Sequence, residues 1–288
     1  MTRWNKILIV ITAILTALYV LSFTRSCTSK DSREKVKTAL VNQKYKDSIT
    51  SIELSDSTGS LILKYNGSFW TVGNLPASTE RIQKFIENLI NVRNLYKISD
   101  EITDKSSFGL TTGTEFHLRY YTGDSFHELI FGNQDFSLSS RYLMTEKSTQ
   151  VYEIDTLLDT YLTTSIQNLA EPYLISQTVL GKIKTQAVQR TQIKDVQKLL
   201  ELRHGGVPDE TELLNILNNS ADSENPDTAI TLELGNKNEI ELKIYKTTNE
   251  NEFIVRTDYK KQNGESSVYT AYSKISAWTY NKIKEITL

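Results

Sequence analysis

Only one cysteine, Cys27, occurs in 288 residues. The chain therefore forms no intrachain disulfide and no thiolate metal cluster of its own. Neither sign of charge is in excess, with 33 basic side chains against 35 acidic ones and a net charge of −2. No basic block or stripe stands out, so nucleic acid is not an expected partner. Charged residues at 24% and apolar ones at 39% make an ordinary globular balance, which excludes wholesale disorder. Only four prolines stand against fifteen tyrosines, and Ile, Val and Thr are plentiful, a bias toward strands. Long apolar runs are missing too, everywhere but one place.

That place is Ile7 to Phe23, uncharged throughout. As a helix it would cover about 25 Å, just enough for a bilayer core with thinning or snorkelling. Three readings compete. A secretory signal peptide has its basic start in Arg3 and Lys6 but a poor cleavage region at Phe23-Thr24-Arg25. A lipoprotein signal would end at Cys27, where Ser26 fits and Arg25 does not. An uncleaved signal-anchor needs only the apolar length, and it is the reading favoured here. Arg25, Lys30, Arg33, Lys35 and Lys37 follow the run and, counted alone, would hold the remainder inside. Long domains translocate regardless of such charge, so the larger part is expected outside the cytoplasmic membrane.

Past a polar linker, Leu61–Tyr65 leads into Asn66-Gly67 and Ser68–Val72 leads out, predicting a hairpin with a type I′ turn. Pro76-Ala77-Ser78 then starts a helix, with Ser78 as N-cap and Ile82, Phe85, Ile86, Leu89 and Ile90 on one stripe. Four strands are predicted over Glu115–Tyr121, Phe126–Phe131, Arg141–Thr145 and Gln150–Ile154, followed by a short helix capped by Asp155. A second set spans Thr228–Leu234, Glu239–Tyr245, Glu252–Tyr259 and Ser267–Tyr272, and a last helix carries Ile275, Trp278, Ile283 and Ile286. Arg141-Tyr142 aligns with Val255-Arg256, Val151-Tyr152 with Val268-Tyr269, and Tyr161 with Trp278, which suggests an internal duplication.

Residues that could carry chemistry are few. His117 and His127 lie on neighbouring predicted strands and could face each other across a ladder. Strand parity puts Glu115 on the face of His117 and Glu128 on the face opposite His127, so a metal site is disfavoured. His204-Gly205-Gly206-Val207-Pro208 reads as a helix C-cap with one glycine at positive φ, not as a phosphate loop. Asp209, Glu210 and Glu212 then suit the first turn of the next helix. Asp222, Glu224 and Asp227 read as a solvated loop, since the EF-hand pattern is absent. No serine sits in a nucleophile elbow. The one speculative ligand or partner surface is the aromatic pair Tyr65 and Trp70.

Several of these pieces recur in a fixed order: Phe69-Trp70-Thr71-Val72, Pro76-Ala77, Phe108-Gly109-Leu110, Leu129-Ile130-Phe131-Gly132, Arg141-Tyr142, Val151-Tyr152-Glu153-Ile154 and Leu169 to Leu174. On them the stretch from Ile52 to Ile175 resembles the bacterial domain of unknown function 4340 family. Its members look like membrane-anchored proteins associated with gliding-motility-type ABC transporter components, with an extracytoplasmic and often duplicated α+β domain. The family has no agreed catalytic residues, so none carries over, and the transporter link is an association only.

The expected fold is therefore α+β: an N-terminal transmembrane helix, then two similar, mainly antiparallel sheet-plus-helix subdomains. The boundaries are 1–27 for the cytoplasmic tip and anchor, 28–47 for the linker, 48–175 and 176–288 for the subdomains. The expected function is a non-enzymatic auxiliary or scaffold of an envelope ABC-type or gliding-motility-like complex. The alternative is a small-molecule or polysaccharide binding module, with an envelope hydrolase third. Expected partners are membrane lipid through Ile7 to Phe23 and a membrane protein such as ABC-type transporter subunits. No cofactor or metal is expected. The location is the bacterial cytoplasmic (inner) membrane, single-pass, with a lipoprotein through Cys27 as the alternative.

Overall fold

A computed structural model describes residues 12, 14–16, 34–36, 40–91, 95–99, 104–146, 148–181, 188–218, 226–261 and 268–287. Ten strands form one sheet: β1 (Glu34–Lys35), β2 (Ile49–Asp56), β3 (Gly59–Tyr65), β4 (Trp70–Val72), β5 (Leu75–Pro76), β6 (Leu95–Ser99), β7 (Phe116–Thr122), β8 (Ser125–Gln134), β9 (Ser140–Thr145) and β10 (Val151–Asp155). Their order is β1-β6-β10-β9-β8-β7-β2-β3-β4-β5. Five more strands, β11 (Val188–Thr191), β12 (Thr228–Leu234), β13 (Glu239–Lys246), β14 (Glu252–Lys260) and β15 (Tyr269–Ser276), make a second sheet in sequence order. Every pairing is antiparallel.

Helix α1 (Thr79–Ile90) covers the inner face of the first sheet because Ile82, Phe85, Ile86, Leu89 and Ile90 recur at three- and four-residue steps and are all buried. Phe85 stacks on Tyr161 with ring centroids 4.9 Å apart. Shorter helices α2 (Ile166–Leu169), α3 (Val196–Glu201) and α4 (Glu210–Asn218) follow, and α5 (Ala277–Ile286) closes the described chain. In α5, Tyr280, Ile283 and Ile286 are buried, with Tyr280 stacked on Phe253 at 4.0 Å. One continuous core cluster runs from Ile52, Leu54 and Leu118 of the first sheet to Leu232, Leu242 and Val255 of the second.

The expected α+β plan is corrected in three respects. The protein is mainly antiparallel sheet with few helices. Its sheets are not similar copies but contain ten and five strands, because β2 to β5 join the β7–β10 meander in a single sheet. No N-terminal transmembrane helix is shown: among the described residues no helix is long and apolar enough to cross a membrane. The physical margin is thin, since a spanning helix needs about 20 apolar residues. Most of the Ile7–Phe23 run, Cys27 and the acidic pair Asp222 and Glu224 lie outside the described residues.

Local expectations also shift. The Asn66-Gly67 turn is not type I′: Gly67 has φ +94°, but Asn66 has no positive φ. Instead the Asn66 carboxamide accepts from Ser68 N and Phe69 N, both at 3.0 Å, which shapes a four-residue connection. Ile275 belongs to β15, and Trp278 is exposed. Asp155 caps only a single turn of 3₁₀-helix, Thr156–Leu158.

The two sheets are stitched at their edges by isolated antiparallel bridges. Ala77, just past β5, pairs with Ala170; Tyr173 pairs with Arg203; Gly206 pairs with Lys274 of β15. A buried polar seam accompanies them. Glu171 accepts from the Ser176 hydroxyl and from Gln177 N, and the Tyr259 hydroxyl accepts from Ser176 N at 2.7 Å. Satisfying these groups internally avoids the desolvation cost of burying them bare.

On the outer face of the first sheet, the loop carrying Phe108-Gly109-Leu110 docks on the bulged end of β8. Leu110 packs there with Met144 and Val151, and Phe108 meets Tyr142 edge-on at 4.9 Å. Backbone contact is close enough to require two glycines. A Cβ on Gly132 would lie 2.1 Å from Phe108 O, and one on Gly109, at φ +66°, would lie 2.4 Å from the Asn133 side chain. Arg141 seals the contact, donating to Gly132 O at 2.7 Å and to Asp159 at 2.8 Å. Gly132→Ala is expected to lower the unfolding free energy by about 1–3 kcal/mol in urea denaturation. Gly59→Ala, in open space, is expected to stay within about 0.5 kcal/mol of the parent.

Candidate functional site

Four places bear on function. The first is the uncovered half of the first sheet's outer face. Cross-strand register sets Ile62, Glu53, Arg119 and Glu128 in one row across β3, β2, β7 and β8. The next row is Lys64, Ser51, Tyr121 and Phe126. Arg119 Nε donates to Glu128 Oε1 at 2.7 Å and its Nη1 lies 3.8 Å from Glu53 Oε1. Tyr121 OH donates to Glu53 Oε2 at 3.1 Å. His117 continues the network, with Nδ1 2.9 Å from Glu128 Oε1 and Nε2 3.3 Å from Glu115 Oε1. Around these mutually paired charges, Ile62 and Phe126 are 43% and 45% exposed.

Parity held for the histidines. Glu115 shares the face of His117, and Glu128 points away from His127. The two imidazoles do not face each other. His127 lies on the inner side, stacked on Tyr120 at 4.9 Å and beside Tyr45 at 5.2 Å. Burial pushes the Tyr120 phenol up to about 12. Among the described residues no group of three or more His, Cys, Asp or Glu side chains is placed to hold a metal ion.

Second is the predicted aromatic pair. Tyr65 and Trp70 are direct cross-strand partners, with ring centroids 5.7 Å apart and planes tilted by 46°. Trp70 leans on the core, Tyr65 is exposed, and Phe69 is buried edge-on against Tyr269 at 5.2 Å. The pair caps the end of a hairpin, and no cavity lining includes it among the described pockets.

Third is the histidine–glycine segment. Neither Gly205 nor Gly206 has a positive φ, so the expected C-cap is corrected. Helix α3 ends at Glu201 in an extended C-cap, Leu202, and the chain then pairs with β15: Gly205 N donates to Lys274 O at 2.8 Å and Lys274 N to Gly206 O at 2.9 Å. His204 Nε2 lies 2.8 Å from Glu171 O, an acceptor only, so the ring proton sits on Nε2. Its Nδ1 is buried with no hydrogen-bond partner among the described residues. Downstream, Asp209 and Glu212 form a reciprocal capping box at 2.8 Å each way.

The fourth was not foreseen. A cavity of about 440 Å³ opens between α4 and the ends of β13 and β14, lined by Glu212, Asn215, Asp227, Tyr245, Asn249 and Ile254 among others. Glu212 is bound by Lys274 Nζ at 2.6 Å, and Asp227 by Lys246 Nζ at 2.6 Å and by the Tyr280 hydroxyl. The Lys246 ammonium, with help from Tyr280, holds the Asp227 carboxyl below the ordinary carboxylate range. Nothing local in the sequence announces this cavity, because its walls come from three elements joined only by the fold. Arg119 and Glu53 were missed for the same reason, although the alternation Glu115, His117, Arg119, Tyr121 marks one strand face.

A family model described as a domain of unknown function (DUF4340) matches residues 70–231, more than half of the chain. No curated protein and no solved structure matches it. The matched span contains the Gly109–Gly132 clasp, α1 and the edge bridges up to Gly206, but not β13 to β15.

Burial holds the His204 imidazole below its ordinary value, against the opposing pull of the Glu171 carbonyl. An unfolded chain then takes up a proton that the folded one refuses, so stability falls as pH falls through the ordinary histidine range. Urea midpoints are expected to drop between about pH 7.5 and about pH 6, and His204→Gln is expected to flatten that slope.

Proposed function

Because the chain belongs to the family described as a domain of unknown function (DUF4340), we propose a role for it that requires no chemistry. It serves as a non-enzymatic auxiliary or scaffold of a bacterial envelope complex of the ABC-transporter or gliding-motility type. It works at the cytoplasmic membrane on the extracytoplasmic side, with the Ile7–Phe23 run in contact with lipid, or with lipidated Cys27 as the alternative attachment.

One observation carries this reading: the row of paired charges on the first sheet. Burying an ion pair under a partner is costly when it leaves a charge uncompensated. Glu53, Arg119 and Glu128 already compensate one another, so a partner can cover them without supplying a counter-charge. Tyr121, Phe126 and Arg119 are also the residue types that anchor protein interfaces. The hairpin strands β2 and β3 are interior to the sheet, so recruitment by strand addition there is not part of the proposal.

A second reading, binding of a small molecule or polysaccharide, is favoured by the cavity beside Tyr245. Its walls combine an apolar floor at Ile254 with amides at Asn215 and Asn249, the composition of a small polar-ligand site.

Crosslinking in intact membranes followed by affinity recovery tests the first reading. The parent chain should bring down transporter subunits, and Ile62→Lys with Phe126→Lys should cut that recovery about tenfold, the effect of losing one interface anchor. Equal recovery by the parent and the double variant would remove the face from consideration. A thermal-shift screen with sugars and small metabolites, repeated on Tyr245→Ala, separates the second reading from the first.

A further inference from the structure

The loop between β8 and β9 presents two large apolar side chains to solvent. Phe136 is 106% exposed and Leu138 is 67% exposed. Leu138 holds φ +57°, a left-handed conformation that favours glycine or asparagine. An apolar side chain here is therefore unsupported by backbone preference and by burial alike. Yet the loop is closely tied. Asp135 N donates to Ser140 O at 2.9 Å and Leu138 N to Asp135 O at 3.0 Å. The Asp135 carboxylate accepts from Ser139 N at 2.9 Å, from Ser140 N at 3.0 Å and from the Ser137 hydroxyl. Residues 136–140, Phe-Ser-Leu-Ser-Ser, contain no charged side chain.

The same end of the sheet offers a third apolar group. Asp155 pairs with Ser140, so the chain leaving β10 emerges beside this loop, and Leu157 there is also exposed. The nearby Asp159 is held by Arg141 and Gln134.

We propose that this end of the first sheet, led by Phe136 and Leu138, inserts into the headgroup–acyl boundary of a lipid bilayer. The hydrogen bonding separates lipid from other occupants. A loop in water can leave its amides to the solvent, whereas one entering an apolar medium must satisfy them internally. This tip does so through the Asp135 clamp. A protein pocket could supply the missing partners itself and would not demand such closure. The lipid is also within reach: the ten residues 24–33 that follow the Ile7–Phe23 run extend at most ~35 Å. Neither Lys nor Arg occurs at the tip, so recognition is by apolar insertion and not by attraction to anionic headgroups.

This inference rests on the membrane location proposed above, and its test keeps the two apart. The full chain, with Cys27→Ser, is given a single cysteine by Phe136→Cys and labelled with an environment-sensitive nitrobenzoxadiazole dye. A control carries the dye through Asp124→Cys, in the turn at the opposite end of β8. Both are reconstituted in vesicles of phosphatidylethanolamine and phosphatidylglycerol containing spin-labelled lipid. The expected result is a blue-shifted emission quenched by the spin label at position 136, with a water-like spectrum at 124. A chain that floats with the vesicles but shows water-like emission at 136 overturns the insertion and leaves the membrane location standing. A chain that does not float overturns both. Emission that shifts at 136 only when a membrane extract replaces pure lipid assigns the tip to a protein and likewise overturns the proposal.

Discussion

The pairing of β2 with β7 is the constraint on which the other features depend. It brings Ile52 opposite Tyr120 and Leu54 opposite Leu118 across a separation of more than sixty residues. Closing so long a loop has an entropic cost that only a large buried face offsets, and the inward row of Ile52, Leu54, Leu118 and Tyr120 against α1 supplies it. Because side chains alternate, the same register places Glu53 beside Arg119 on the outside. The charged row is thus a by-product of the register that builds the core. A slip by one residue would invert both.

How much of this was legible in the chain depends on the range of the interaction. The stripe of Ile82, Phe85, Ile86, Leu89 and Ile90 gave α1 because its period is local. The strands from Glu115 and from Thr228 followed from alternation and turn residues, and the parity of Glu115, His117 and Glu128 was read correctly. Strand β6 was missed, and so was β11, since each is short and takes its partner from far along the chain. The ten-stranded sheet was read as one half of a duplication for the same reason. Local patterning shows that strands exist and is silent on which of them meet. Gly205 and Gly206 misled because glycine after a helix usually signals a left-handed cap, whereas here it permits a close approach to the edge of β15.

The ordered pattern of family residues acquires a physical meaning from the clasp. Phe108-Gly109-Leu110, Gly132, Arg141-Tyr142 and Val151 are scattered over some forty positions, and each is a weak signal by itself. In space they are one contact, in which two glycines admit the backbones, Leu110 and Val151 fill a satellite core, and Arg141 ties Gly132 to Asp159. The pattern therefore records packing and not catalysis. Such residues identify a fold family without disclosing what its members do.

The bridges at Ala77, Tyr173 and Gly206 have a wider consequence than joining two sheets. They occupy the backbone of β5 and part of β15, the two long-sheet margins that would otherwise present unpaired amides. Among the described residues the remaining outer strands are β1 and β11, two and four residues long. Margins this short give a second molecule little to zip onto. A sheet-rich protein of this build can be crowded at high local density on a surface without its copies polymerising edge to edge.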